Sequence, residues 1–443
     1  MHRQVSIPTR NFKWLRASNF VSGFIFTLLI LGIPFTIADG DHEAFGSSEE
    51  KVIKSVSNLL NEHSELAALA HVDSAMHKFL QRQGIVGASV GIVKDGQLIY
   101  TKGFGYTDNE SQQAIQPFHQ FRIGSISKLI TAVAVMKLYE DGKLELEDKV
   151  FGEEGILQGG IYDKIEDKRI YDIEVRHLLN HTSGWSKRTF GDPLFVPHKI
   201  AEEMGGPAPP RLETIIEYVL SRPLPYRPGS YYDYSNFGYC LLGEVITAAS
   251  GLEYEEYVKQ EILYPLGIRD MRLAKNLQEG RFDNEVAYYD FTYNNMREAL
   301  DSSGEMVSTT YSFDIEALGA AGGWLATSTD LLKFVVAIDG FKNTPDILSN
   351  ESLLTMIKPD HGGGRPYGWR GITSNGTWWR TGTLAGTSAI LKRLDNGISW
   401  VVLANTTNRR SRYFNGKINY IMHSSLEQME EWPAQDLFAQ SYY

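Results

Sequence analysis

Ser125 and Lys128 stand three residues apart at the head of an apolar run, Leu129 to Leu138. On a helix, side chains at that spacing share a face and can touch. A lysine held partly out of water beside a serine hydroxyl loses its proton closer to neutrality and can take the serine's proton. The pair is therefore a way to build a nucleophile without a catalytic histidine. The same letters occur at Ser48-Glu49-Glu50-Lys51, in a polar, charged stretch. Context separates the two. Phe121-Arg122-Ile123-Gly124 precedes Ser125, and the glycine lets the chain turn into a helix. The run that follows reads as a buried helix ending at Asp141-Gly142. Ser125 then lies at a helix N-terminus, where free N–H groups and the dipole favour negative charge. A serine that only caps the helix, with Lys128 in solvent, is the competing reading.

Three further segments carry chemistry-bearing residues. They are Leu178-Leu179-Asn180-His181-Thr182-Ser183-Gly184-Trp185, Pro228 to Tyr239 with Tyr234-Ser235-Asn236 inside it, and Arg380-Thr381-Gly382-Thr383. Tyr-X-Asn recurs at Tyr293-Asn294-Asn295 and Tyr413-Phe414-Asn415, so no single segment is decisive. Order and setting are informative. Ser-X-X-Lys opens a helix, His-Thr-Ser-Gly follows a leucine pair, Tyr-Ser-Asn lies after Pro-Gly in a loop, and X-Thr-Gly ends a candidate strand.

On these residues the chain resembles the serine β-lactamase-like family, which includes class C β-lactamases, D-alanyl-D-alanine peptidases, esterase relatives and mitochondrial β-lactamase-like proteins of animals. The resemblance runs from residue 70 to residue 425 or so. It extends to Gly243-Glu244-Val245-Ile246, Tyr264 to Ile268 and Gly322 to Ser328. It implies a nucleophile at Ser125 and a general base shared by Lys128 and Tyr234. Asn236 would hydrogen-bond the substrate amide or carbonyl. The backbone N–H groups of Ser125 and Thr383 would form the oxyanion hole, with Arg380, Thr381, Gly382 and Thr383 on the substrate-binding strand. Acyl transfer needs a deprotonated nucleophile, an acceptor of matched pKa and donors aimed at the developing oxyanion. Tyrosine, near pKa 10 in water, meets that need only if neighbouring cations such as Lys128 and Arg380 favour its phenolate.

Position 380 departs from the family pattern, which has Lys or His there. Arginine keeps its charge and cannot shuttle a proton. It can grip a carboxylate with two parallel bonds or polarise Tyr234; pairing with an acid at the strand edge is the alternative. The expected activity is a serine hydrolase acting on an ester or amide bond, peptide bonds included, through a Ser125 acyl-enzyme. A peptidase on D-amino acids or carboxyl ends is a second reading, favoured by Arg380. A non-catalytic binding or scaffold relative is a third; the retained polar quartet argues against it, since polar groups in a cleft cost stability unless used or satisfied.

Two decoys need placing. His181 reads as a loop residue supporting the site, because Ser-Lys-Tyr chemistry has no vacancy for a triad histidine. Gly87-Ala88-Ser89-Val90-Gly91 spells a nucleophile elbow and His361-Gly362-Gly363-Gly364 an oxyanion loop. The elbow needs a strand-to-helix turn, whereas Ser89 lies in a strand entering a hairpin. The loop should precede the nucleophile, and here it follows.

Positioning these residues requires an α+β fold: an antiparallel sheet flanked by helices, with an inserted mainly helical lobe. Val86 to Tyr106 reads as a hairpin around Lys94-Asp95-Gly96. Trp378 to Thr381, Ser388 to Arg393 and Ile398 to Leu403 supply strands at the other end, the last two flanking an Asn396-Gly397 turn. The expected division is a sheet lobe over 65–124 and 301–430, a helical lobe over 125–300, and a tail over 431–443. Residues 39–64 read as a polar linker. Residues 1–19 hold Arg3, Arg10, Lys13 and Arg16 and no acid, and Phe20 to Ala38 is almost wholly apolar. That pattern reads as a signal peptide or a membrane anchor with the body exported; a mitochondrial targeting sequence is the alternative.

The chain's 443 residues allow one large enzyme domain, and its net charge of −11 with no basic run argues against nucleic acid as a partner. The expected partner is a small-molecule or peptide substrate, with membrane attachment only through the N-terminal segment. No metal and no cofactor are expected. Cys240 is the single cysteine, so no intrachain disulfide can form; it reads as a small buried hydrophobe on a helix. Asn109, Asn180, Asn350, Asn375 and Asn405 each open a glycosylation sequon.

Overall fold

Aspartate and glycine at 95 and 96 tolerate the left-handed backbone that a tight hairpin demands, and both adopt it (φ 52° and 84°). They join β1 (Gly87–Lys94) to β2 (Gln97–Gly105). At the far end of the sequence come a short edge strand β3 (Gly371–Ile372), then β4 (Trp378–Leu384), β5 (Thr387–Arg393) and β6 (Ile398–Ala404). The order across the sheet is β2–β1–β6–β5–β4–β3, antiparallel throughout. The computed structural model describes residues 59–440 except 293–295, 302, 359–364 and 409–412. These belong to one unit, Val52–Tyr443.

β6 is buried along its whole length because both faces of the sheet are covered. Side chains alternate across a strand. Accordingly Trp400 and Val402 join an outer core with α1 (Ala70–Gln83), while Val401 and Leu403 join the larger inner core. Each such side chain, fully buried, contributes roughly 1.5–3 kcal/mol. The inner core centres on α2 (Ser127–Glu140), apolar on nearly every side as a fully enclosed helix must be. A 3₁₀ turn, Gly124–Ile126, leads into α2, so Ser125 stands in that turn, just ahead of the α-helix proper. Ser235 starts α3 (Asn236–Ser250), its Oγ accepting from Gly238 N at 2.9 Å. Another helix, α4 (Phe414–Glu427), packs with α1 on the outer face.

Between the two ends of the sheet lie mostly short helices. Trp324–Ala326 there pairs with Phe121–Arg122 on one side and Arg272–Leu273 on the other. This small sheet fixes the chain immediately before Ser125. Ser89 lies within β1, fully buried, its Oγ 2.7 Å from Ser328 Oγ; the elbow geometry is absent there. Cys240 is buried on α3. Asn180 and Asn405 are buried too, which removes them as sequons in the folded protein, whereas Asn109, Asn350 and Asn375 are exposed. The leader-like residues 1–38, the linker to residue 58, Ser48–Lys51, His361–Gly364 and the last three residues of the tail lie outside the described residues. Among the described residues no helix is long and apolar enough to cross a membrane.

Candidate active site

The turn bearing Ser125 meets β4 at two glycines. A Cβ on Gly382 would sit 1.9 Å from the Ile123 carbonyl oxygen, and one on Gly124 (φ 53°) would sit 3.1 Å from Thr383 N. Only residues without a side chain let these backbones come so close. The contact draws the N–H-bearing backbones of Ser125 and Thr383 into one corner. On β4, alternation sends Arg380 toward Ser125 and sends the side chains of Thr381 and Thr383 to the opposite face, so these threonines border the corner through their backbone.

Tyr234, from the loop before α3, shares a hydrogen bond of 2.8 Å with Ser125 Oγ. Arg380 is buried and holds both partners: Nε donates to the Ser125 carbonyl at 2.7 Å and Nη2 donates to the Tyr234 oxygen at 3.0 Å. No carboxylate among the described residues pairs with it. The strand-edge ion pair is thus absent, and two of its donors are committed within the protein. Ser125 and Lys128, which could touch at this spacing, do not bond each other directly. Lys128 is fully buried; its Nζ donates to Asn236 Oδ1 at 2.7 Å and to the Ala321 carbonyl at 2.5 Å, and lies 5.0 Å from the centre of the Tyr234 ring. The Ala321 carbonyl is free for this because it belongs to the last turn of helix Ile315–Gly322, whose carbonyls lack intrahelical partners.

These charges set the proton affinities. Burial alone would raise the Tyr234 pKa, but Lys128, Arg380 and the Ser125 hydrogen bond outweigh it and bring it down to about 7. Burial lowers the pKa of Lys128, opposed by Tyr234 and reinforced by Arg380. His181 is buried at the back of the site with φ 64°; its Nδ1 accepts from Ser235 N, and its ring lies 4.5 Å from that of Tyr234. Burial, then the charges of Arg380 and Lys128, push its pKa well below 6.5. A neutral, packed ring at this place acts as a wall for Tyr234.

Four participants carry no signal in the sequence. Asp192 accepts from Asn236 Nδ2 at 2.7 Å and so turns the amide oxygen toward Lys128. The Ala321 carbonyl is a backbone group. Lys187 and Arg370, both exposed, place their charges 5.6 Å and 5.4 Å from the Tyr234 ring centre. Among the described residues no cluster of side chains could hold a metal ion.

A sheet closed by both ends of the chain, a buried lysine and a serine hydroxyl at the head of a central helix define the β-lactamase and transpeptidase-like class. The chain belongs to the beta-lactamase family, a family of serine hydrolases, whose model matches residues 72–418. It is 27% identical over 326 residues to penicillin-binding protein 4* of Bacillus subtilis (strain 168), an alignment covering 71% of this chain and 64% of that protein. The chain therefore spans under two thirds of that relative's length. Among solved structures it is similar to the octameric penicillin-binding protein homologue from Pyrococcus abyssi (TM-score 0.60, 25% identity, 82% of this chain and 79% of the other). It also shares its fold with the D-amino acid amidase from Ochrobactrum anthropi SV3 (TM-score 0.64, 20% identity, 82% of this chain and 99% of the other).

Proposed function

We propose that the chain hydrolyses an ester or amide bond through an acyl-enzyme on Ser125. The observation that carries this reading is the Tyr234 oxygen, 2.8 Å from Ser125 Oγ and 3.0 Å from Arg380 Nη2. In the proposed reaction Ser125 Oγ attacks the substrate carbonyl carbon while its proton passes to the Tyr234 phenolate. The N–H groups of Ser125 and Thr383 stabilise the carbonyl oxygen as it becomes negative. Tyr234 then returns the proton to the departing alcohol or amine. Water, deprotonated by the same phenolate, releases the acyl group and restores Ser125.

Lys128 acts in this account as the buried cation that keeps Tyr234 ionised, with Asn236 and Ala321 fixing its position. Arg380 supplies the second cation, a use its two internal hydrogen bonds favour over gripping a substrate carboxylate. Asn236 is engaged at both ends by Lys128 and Asp192, which makes it a positioning residue first. The peptidase reading draws support from the penicillin-binding and D-amino acid amidase relatives. The basic and apolar residues 1–38 support delivery of the body to or across a membrane.

Treatment with a fluorophosphonate and mapping of the adduct tests the reading. The expected result is labelling at Ser125, abolished in Lys128→Ala and in Tyr234→Phe. Labelling at another serine would overturn it, and no labelling would sustain a non-catalytic scaffold.

A further inference from the structure

Next to Tyr234 the chain builds a second feature from the segment 185–223 and the start of α3. Trp185, Pro193, Tyr218, Val219, Pro223 and Phe237 line a narrow pocket of about 40 Å³. Tyr234 and Asn236 belong to the same lining, so the pocket borders the proposed base. Its walls are held rigidly. The Trp185 and Phe237 rings meet edge-on at 4.9 Å. The Arg222 guanidinium lies 3.4 Å from the centre of the Tyr218 ring, bonds the Tyr218 carbonyl at 2.6 Å and is tied to Glu203 at 2.5 Å. Of the charged members, Arg222 stacks on the Tyr218 wall, Lys187 is exposed, and Asp192 is half-buried and bonded to Asn236. A concave, largely preformed apolar pocket with a few polar groups at one side is how small-molecule sites are built.

We infer that this pocket receives an apolar substituent of the substrate and thereby selects among esters or amides. The inference rests on the hydrolase reading above, since the pocket matters only if Ser125 reacts. Val219, on the helix Leu212–Leu220, lines the pocket, so changing its size should change how large a group the pocket accepts.

The test uses fluorophosphonates that share the fluoride leaving group and differ only in the group on phosphorus: methyl, butyl or phenyl. In each, Ser125 Oγ bonds to phosphorus, the phosphorus–fluorine bond breaks, fluoride departs and the hydroxyl proton passes to Tyr234. Labelling rates at Ser125 are divided by each reagent's hydrolysis rate in buffer. The expected result is a rise of about fourfold per methylene buried, and a phenyl reagent at least as fast as the butyl one. Val219→Phe should cut the butyl-to-methyl and phenyl-to-methyl ratios about tenfold, and Val219→Ala should raise the ratio for a longer alkyl reagent. Thermal melts establish that each variant folds, and Val219→Ala decides alone if the larger side chain does not. Ser125 labelled in every case with ratios unchanged would overturn the pocket's role while leaving the hydrolase reading standing. Ser125 unlabelled in the wild type would overturn both.

Discussion

At the scale of residues, the proposed chemistry turns on one phenol oxygen. Tyr234 is brought down to about 7 only because Lys128 and Arg380 outweigh its own burial. Removing Arg380's charge should therefore move the proton affinity back toward that of ordinary tyrosine. In Arg380→Gln the rising limb of the pH profile of kcat/KM is expected to shift upward from about 7, with a loss of tenfold or more at neutral pH. A limb that stays in place would show that Arg380 has another task. Tyr234→Phe removes the acceptor and should lower kcat by about 10²–10⁴. The contiguous motifs around Ser125, Tyr234 and Arg380 were legible because their residues are neighbours in sequence as well as in space. Asp192 and Arg370 were not, because they come from loops with no repeating pattern, nor was Lys187, which opens a helix of four residues, too short to show a period. Ala321 acts through a carbonyl that no sequence position advertises.

At the scale of elements, the site depends on β4 and the Ser125 turn touching backbone to backbone. Gly382→Ala would place a methyl 1.9 Å from the Ile123 oxygen, so strand and turn must part. Overpacking of this kind typically costs about 1–3 kcal/mol. The expected outcome is a lower Tm, with a larger fractional loss of activity than of folded protein in an assay run well below that Tm. The loop holding His181 has its own pH signature. Folded His181 resists protonation while the unfolded chain protonates near 6.5, so the unfolded state binds the extra proton. Its contribution is complete above 6.5 and stability falls as pH drops below it. Melts at about pH 7.5 and about pH 5 should differ less in His181→Gln than in the wild type. The Asp95-Gly96 hairpin and β4 to β6 could be read from turn residues and alternating apolar positions. The short strands at Phe121 and Trp324 could not, since elements this brief form only through tertiary pairing.

At the scale of the whole molecule, segments far apart in sequence converge on Arg122, three residues ahead of Ser125. Arg122 is buried against Glu285 (3.7 Å), donates to the Thr310 carbonyl at 2.7 Å and lies 4.4 Å from the centre of the Tyr288 ring. Burial raises the pKa of Glu285, which Arg122 opposes. Arg122→Ala would strand a buried acid and should cost about 3–5 kcal/mol, read as a shift of the urea midpoint. The double variant Arg122→Met with Glu285→Gln should recover part of that loss. The antiparallel sheet with helices inserted was legible from where strand signals stop and resume. The ion pair that ties residue 122 to residue 285 was not, because hydropathy patterning says nothing about which buried charges meet.

The most direct measurement is the rate of fluorophosphonate labelling at Ser125 as a function of pH, with the adduct site mapped at each end of the range. The account predicts an adduct on Ser125 and a rate that rises with a midpoint of about 7, following the ionisation of Tyr234. An adduct on another serine, or a Ser125 rate that climbs only as ordinary tyrosine ionises near 10, would contradict it.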